Sequence, residues 1–310
     1  MSWQAGATVG PYLLEARLGA GGMGEVWRAH HLHTGAPRAL KVLREADPDL
    51  QARFRREGEA MARIDHPAVV RVHELFAFGP ELVLALELAE GGSLNERLRG
   101  GALRPEEALR IVTHLAQGLA QVHAAGALHR DIKPDNVFFG REGEAKLGDF
   151  GLTQLRGSTE ALTRTGELLG TPAYMAPEQA LSQTCDERTD VYGLSALLYH
   201  CLTGEPPFHA SNTLALLDKV CKQEPDPPRE RAAGVPDWLS RLCLQGLAKD
   251  PAGRPPSAEA FAHALVRREA PGESARPRLA AAALLALVTF AGLYLALPRP
   301  GQPAPTPHPT

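Results

Sequence analysis

The stretch "LGAGGMGEVWRAHHLHTGAPRALKVL", Leu18 to Leu43, decides the fold. Gly19, Gly21 and Gly24 give the spacing G-x-G-x-x-G, which brings backbone amides against phosphates in two unrelated designs. In a dinucleotide-binding unit the glycines turn a strand into a helix, and an acidic residue follows about 20 positions on. In a flap over a nucleotide triphosphate they close a strand–turn–strand hairpin. Here Val26 and Trp27, then Ala39, Leu40, Val42 and Leu43, suit two strands joined by the "HTGAP" turn. Where the acid is expected stands Lys41, whose ammonium can reach phosphates. The flanking residues therefore select the flap.

With this hairpin and the segment "RALK", the chain resembles a eukaryotic-type (Hanks-type) serine/threonine protein kinase of the membrane-anchored bacterial kind. The resemblance implies an ATP site formed by the run from Leu18 through Gly19, Ala20, Gly21, Gly22, Met23, Gly24 and Glu25 to Val26, together with Lys41. It also implies a glutamate on the next helix to pair with Lys41. "DPDLQARFRREGEAMARIDHP" offers one. Asp47 suits an N-cap and Pro48 the first helical position. Leu50, Phe54, Glu57, Met61 and Ile64 share one helix face, so Glu57 is the single acid in an apolar stripe and needs a cationic partner. Gly58 beside it weakens the helix, which suggests an element able to move.

The apolar strand in "ELVLALELAEGGSL" runs into a Gly-rich connection. By resemblance this is the inter-lobe hinge, with Leu86 at the back of the adenine pocket and the backbones of Glu87 and Ala89 against the base edge. A helix from Pro105 follows, with Gly126 as its stop. Then comes "LHRDIKPDNV", Leu128 to Val137, which fills every fixed position of H-R-D-x-x-x-x-N. The resemblance makes Asp131 the residue that orients the substrate hydroxyl and accepts its proton. Lys133 would neutralise charge on the transferring phosphoryl group, and it marks serine/threonine specificity. Asn136, with Asp149 of "DFG", would hold Mg²⁺, a hard cation that favours oxygen ligands, with Mn²⁺ as an alternative. Phe150 would pack beneath the mobile helix. A polar surface loop would account for any one of these residues, but not for the ordered set.

Between Asp149 and "APE" (Ala176 to Glu178) lies a polar, threonine-rich segment. The resemblance places regulatory phosphorylation at Thr163 and Thr165, with Arg130 as a cation able to pair with the phosphate, and gives Thr171 a positioning role near Asp131. Asp190 is implied as a buried anchor and Arg254 as the partner of Glu178. The expected fold is α+β and bilobal. A β-rich N-lobe would span about 1–90 and a mostly helical C-lobe about 91–268. Helix "SAEAFAHALVRR", capped by Ser257, closes the domain.

The charge of −3 argues against a nucleic-acid binder. The four cysteines show no C-x-x-C pair and read as reduced core thiols, and no secretory signal opens the chain. His30, His31 and His33 sit beside the hairpin turn, where solvent-facing histidines are commoner than a metal site. After a linker at 269–278, Leu279–Leu297 is nineteen residues without charge. As a helix it would reach about 28 Å, close to the roughly 30 Å hydrocarbon layer. Arg267, Arg268, Arg276 and Arg278 precede it and only Arg299 follows, which orients the kinase domain to the cytoplasm. The Pro-rich tail at 298–310 is too short for a folded sensor. Together with the resemblance to the kinase family, these features imply a single-pass enzyme of the cell membrane acting on protein serine and threonine hydroxyls, with homodimerisation as a route to autophosphorylation in trans. The competing reading is a pseudokinase-type scaffold that binds nucleotide and partners without phosphotransfer.

Overall fold

The computed structural model describes residues 3–21, 24–43, 48–150 and 172–269. Gly22, Met23, Asp47, Thr163, Thr165, Thr171 and the candidate span at 279–297 lie outside the described residues. Among the described residues no helix is long and apolar enough to cross a membrane.

The N-terminal part is an antiparallel sheet built from β1 (Thr8–Val9), β2 (Tyr12–Gly21), β3 (Gly24–His31), β4 (Pro37–Leu43), β5 (Val72–Phe78) and β6 (Glu81–Glu87). Its strand order is β1-β2-β3-β4-β6-β5. Register explains why this sheet carries a site. Lys41 lies opposite Val26 on β3 and Leu84 on β6, whereas Leu40 lies opposite Trp27 and Ala85. Side chains alternate between faces, so Lys41, Val26 and Leu84 look one way and Leu40, Trp27 and Ala85 the other. The second face is sealed by Trp3, Val9, Tyr12 and Leu14, and the Trp3 indole N–H is anchored on Glu81 at 2.6 Å.

Helix α1 (Pro48–Met61) covers the Lys41 face, burying Phe54, Met61 and, just beyond its end, Ile64. Gly58 has a packing reason beside its low helix propensity. A Cβ there would lie 3.1 Å from Leu84 and 3.3 Å from Leu75, so the glycine is where α1 presses onto β5 and β6. Close approach is what the position provides in the packed fold.

The C-terminal part is mostly helical. The helix α2 (Leu94–Leu98) begins with a Ser93–Glu96 capping box, and α3 (Pro105–Ala124) ends before Gly126, whose φ is +77°. A two-stranded hairpin, β7 (Val137–Phe139) and β8 (Ala145–Leu147), packs on α3. Next come α4 (Pro177–Ala180), α5 (Glu187–Thr203), α6 (Thr213–Lys222), α7 (Pro228–Arg231), α8 (Asp237–Gly246) and α9 (Ala258–Arg267). Asp186 caps the start of α5 and Gly204, at φ +80°, ends it. This helix is buried on nearly all sides, with α3, α8 and α9 packed against it. Ser257 caps α9 by accepting from the Ala260 amide at 3.1 Å.

Candidate active site

The glycine hairpin forms one wall. Gly21 pairs with Gly24 at its tip, and Ala20 with Glu25. Pairing slips between Arg17 and Gly19, so the register skips Leu18, which stays 52% exposed. Gly24 has φ +150°, and a Cβ there would fall on the Val42 carbonyl. Only glycine lets the hairpin lie this close to β4. The Glu25 carboxylate belongs to the face opposite Lys41 and accepts the Trp27 indole N–H at 2.9 Å, so any contribution of Glu25 to the cleft comes from its backbone.

The opposite wall is the turn between α3 and β7. Asp190, in the first turn of α5 and 1% exposed, gathers it. Its carboxylate accepts the amides of His129 at 2.8 Å and Arg130 at 2.6 Å, and meets His123 Nε2 at 2.9 Å. These bonds hold Arg130 at φ +63°, a left-handed conformation that costs on the order of 1 kcal/mol for a residue with a Cβ. The bend turns Asp131 towards the cleft. Both Lys133 Nζ and Asn136 Nδ2 donate to its Oδ2 at 2.8 Å, and Asn136 Nδ2 also reaches the Asp131 carbonyl at 2.8 Å. With its amide nitrogen spent on Asp131, Asn136 has Oδ1 to offer a cation.

Asp149 completes the floor. Its Oδ1 accepts from Lys41 Nζ at 2.8 Å, joining strand β4 to the segment after β8. Burial pushes the Asp149 carboxyl up, but the Lys41 charge and hydrogen bond outweigh it and hold the group below the usual carboxylate range. The Gly148 amide donates to the Asn136 carbonyl at 2.9 Å, so the two candidate metal ligands are tied through the backbone. The Glu57 side chain lies outside what the structure describes, and the described partner of Lys41 is Asp149. Lys41, Leu86, Asp149 and Phe150 line a solvent-open cavity of about 390 Å³ together with Gly58 and Met61 of α1. The Glu87 amide donates to Arg71 O at 2.8 Å, and Ala89 follows in the connection to α2.

Below the cleft, Glu178 and Arg254 form a buried bidentate pair at 2.7 and 2.8 Å, and Thr189 adds a hydroxyl to the same carboxylate at 2.8 Å. Burial pushes Glu178 up, but the hydrogen bonds from Arg254 and Thr189 bring it below its ordinary value.

Four further residues organise this site without an assigned role in the sequence reading. His129 is fully buried: Nε2 meets the Gly148 carbonyl at 3.0 Å, Nδ1 takes the Asp131 amide at 3.3 Å, and its ring lies 4.5 Å from that of Phe150. Burial lowers its pKa, and these partners require a neutral ring protonated on Nε2. Gln179 bonds the Arg130 carbonyl at 2.8 Å, and Lys146 reaches Glu87 at 3.0 Å. His123 is the fourth, on Asp190. The H of "HRD" and the Q after "APE" were visible signals; His123 and Lys146 gave none, because their partners are distant in sequence. Among the described residues no three His, Cys, Asp or Glu side chains converge as a metal cluster. Of the turn histidines, His30 bonds Glu15 at 2.8 Å and His31 accepts two backbone amides.

The donor set fits a magnesium nucleotide: amide and carboxylate oxygens for a hard cation, an ammonium beside them, and glycine amides above. The protein kinase domain family matches residues 12–266. The serine/threonine-protein kinase pkn3 of Myxococcus xanthus is 39% identical over 264 residues, which cover 81% of this chain and 48% of that protein. For the serine/threonine-protein kinase PkaA of Streptomyces coelicolor the identity is 40% over 272 residues, 82% of this chain and 49% of the relative. PknB of Mycolicibacterium smegmatis is 36% identical over 265 residues, 83% of this chain and 42% of its own length. The chain thus spans about half the length of the curated relatives it matches. With its bilobal architecture, its cleft and a match across most of its length, the chain belongs to the protein kinase family, whose members use ATP and Mg²⁺.

Proposed function

We propose that this chain is a serine/threonine protein kinase that transfers the γ-phosphoryl group of ATP to protein hydroxyls. The observation that carries the reading is the arrangement of Asp131, whose carboxylate is gripped by Lys133 and Asn136, with Asn136 tied through the Gly148 amide to the segment that carries the Lys41–Asp149 pair. Asp131 orients the attacking hydroxyl and takes its proton. Lys133, 2.8 Å from that carboxylate, lies where charge on the transferring group would be neutralised. Lys41 and the hairpin amides hold the phosphates, Leu86 and the Glu87–Ala89 connection hold the base, and Glu57 is the second partner of Lys41. Asn136 and Asp149 would hold Mg²⁺, which when bound neutralises phosphate charge. Catalysis of this kind is mostly positioning and electrostatics, so it asks little covalent work of the side chains.

Within the same proposal, Leu279–Leu297 anchors the enzyme in the cell membrane with the kinase domain in the cytoplasm, supported by its apolar length and arginine asymmetry. Thr163 or Thr165 is autophosphorylated, in trans within a homodimer, and Arg130 receives the phosphate; Thr171 positions substrate beside Asp131. Incubation with Mg²⁺ and labelled ATP tests the core claim. Label on the chain itself or on a generic protein substrate supports it. Nucleotide binding without any transfer would favour the pseudokinase-type scaffold.

A further inference from the structure

The connection between the lobes carries carboxylates that each hold cations from elsewhere. Glu87 takes Lys146 of β8. Glu90, three residues on, is the more informative. One of its oxygens lies 3.6 Å from Arg28 of β3, in the N-lobe, and the other is paired with Arg141, in the turn between β7 and β8 of the C-lobe. Arg28 is itself fixed by Glu15 of β2, with Nε donating at 2.9 Å. The chain Glu15–Arg28–Glu90–Arg141 therefore runs from the sheet, across the connection, to the hairpin whose two ends carry Asn136 and Asp149.

We propose that Glu90 is a positioning residue: by clasping Arg28 and Arg141 it sets the spacing of the two lobes at the hinge and so tunes nucleotide affinity. Its side chain is 23% exposed, so the clasp is a surface device, screened by salt and modest in size. A modest bias suffices, because opening the cleft withdraws the hairpin amides and Lys41 from phosphates held over Asn136 and Asp149. The inference rests on the nucleotide-binding part of the function proposed above.

The test uses the full chain in detergent, with direct measurement of Mg·ATP binding and thermal unfolding in parallel. Glu90→Gln is expected to weaken Mg·ATP binding about two- to fivefold at low ionic strength, and the ratio to wild type should shrink towards one at 0.5 M salt, roughly, where such pairs are screened. Arg28→Gln should weaken binding similarly, and the double variant no further than either single one. Equal affinities of wild type and Glu90→Gln at low salt, or a ratio indifferent to salt, would overturn the clasp. A residue that only stabilises the fold would lower the unfolding midpoint and leave the salt-dependent ratio at one. Failure of the wild-type chain to bind Mg·ATP at all would instead strike the functional reading itself.

Discussion

Arg254 and Glu178 meet through both guanidinium terminal nitrogens, at 2.7 and 2.8 Å, in a site where the arginine side chain has no exposure. The remaining donors are spent on the carbonyls of Ala248, Arg188 and Lys249 at 2.8, 3.1 and 3.1 Å, so all five N–H groups are used. The pair joins α4 to the turn before α9.

Removing one partner strands a buried charge. Arg254→Met should cost about 3–5 kcal/mol of stability, a drop of very roughly 2–4 °C in unfolding midpoint per kcal/mol for a domain of this size. Combining it with Glu178→Gln should recover part of the loss. The acid limb follows from the carboxylate: its folded pKa is below the unfolded one, so its contribution is present above the unfolded value and lost as pH falls through the folded one. Thermal unfolding of the single and double variants across acidic pH checks the sign; a single variant as acid-sensitive as wild type would contradict it.

Two glycines of one motif should behave differently. At Gly24 a Cβ would collide with the Val42 carbonyl, a backbone atom that cannot turn aside, while at Gly19 no described residue lies within 4 Å. Gly24→Ala is therefore expected to cost about 1–3 kcal/mol of stability without any nucleotide present, and Gly19→Ala to leave the unfolding midpoint within about 1 °C, a surface-like effect. Differential scanning fluorimetry of the two nucleotide-free variants makes the comparison.

What could be read in the sequence divides along physical lines. The hairpin, the α1 stripe, the caps at Ser257 and Gly126 and the order of catalytic residues are local patterns, because period, turn chemistry and spacing act over a few residues. The role of Gly58 was not readable, since its neighbours Leu75 and Leu84 come from strands that only the tertiary fold brings near. The motif made His129 visible but not its contact with Gly148, nineteen positions on, and Glu90 gave no signal at all, because its cations come from opposite lobes. Side chains with ordinary identity and remote partners leave no periodic trace.

Asp131 separates binding from transfer. Asp131→Asn keeps a side chain able to bond Lys133 and Asn136 but removes the base, so transfer should fall by about 10²–10⁴-fold with Mg·ATP affinity little changed. Lys41→Met, in contrast, removes the cation 2.8 Å from Asp149 and should damage both. Steady-state phosphorylation beside direct nucleotide binding distinguishes the two patterns, and an Asp131→Asn enzyme of undiminished rate would contradict the assignment of the base.

The last prediction concerns a cation that the chemistry does not use. Lys249 Nζ is buried and has no hydrogen-bond partner among the described residues, 4.3 Å from the Phe208 ring centroid and 6.0 Å from that of Tyr192. Burial is the main cause that lowers its pKa from 10.5 to about 8, the nearby Arg254 charge adding to it and Glu224 opposing. Between those two values the unfolded chain binds the proton that the folded one has released, so this residue makes stability rise as pH rises from about 8. Lys249→Met keeps the aliphatic length and removes the charge, so it should flatten that rise while remaining folded. Denaturant unfolding of both proteins at intervals from neutral to pH 10 measures it; a wild-type profile that stays flat or falls in step with the variant would show that the ammonium is better solvated than its surroundings indicate.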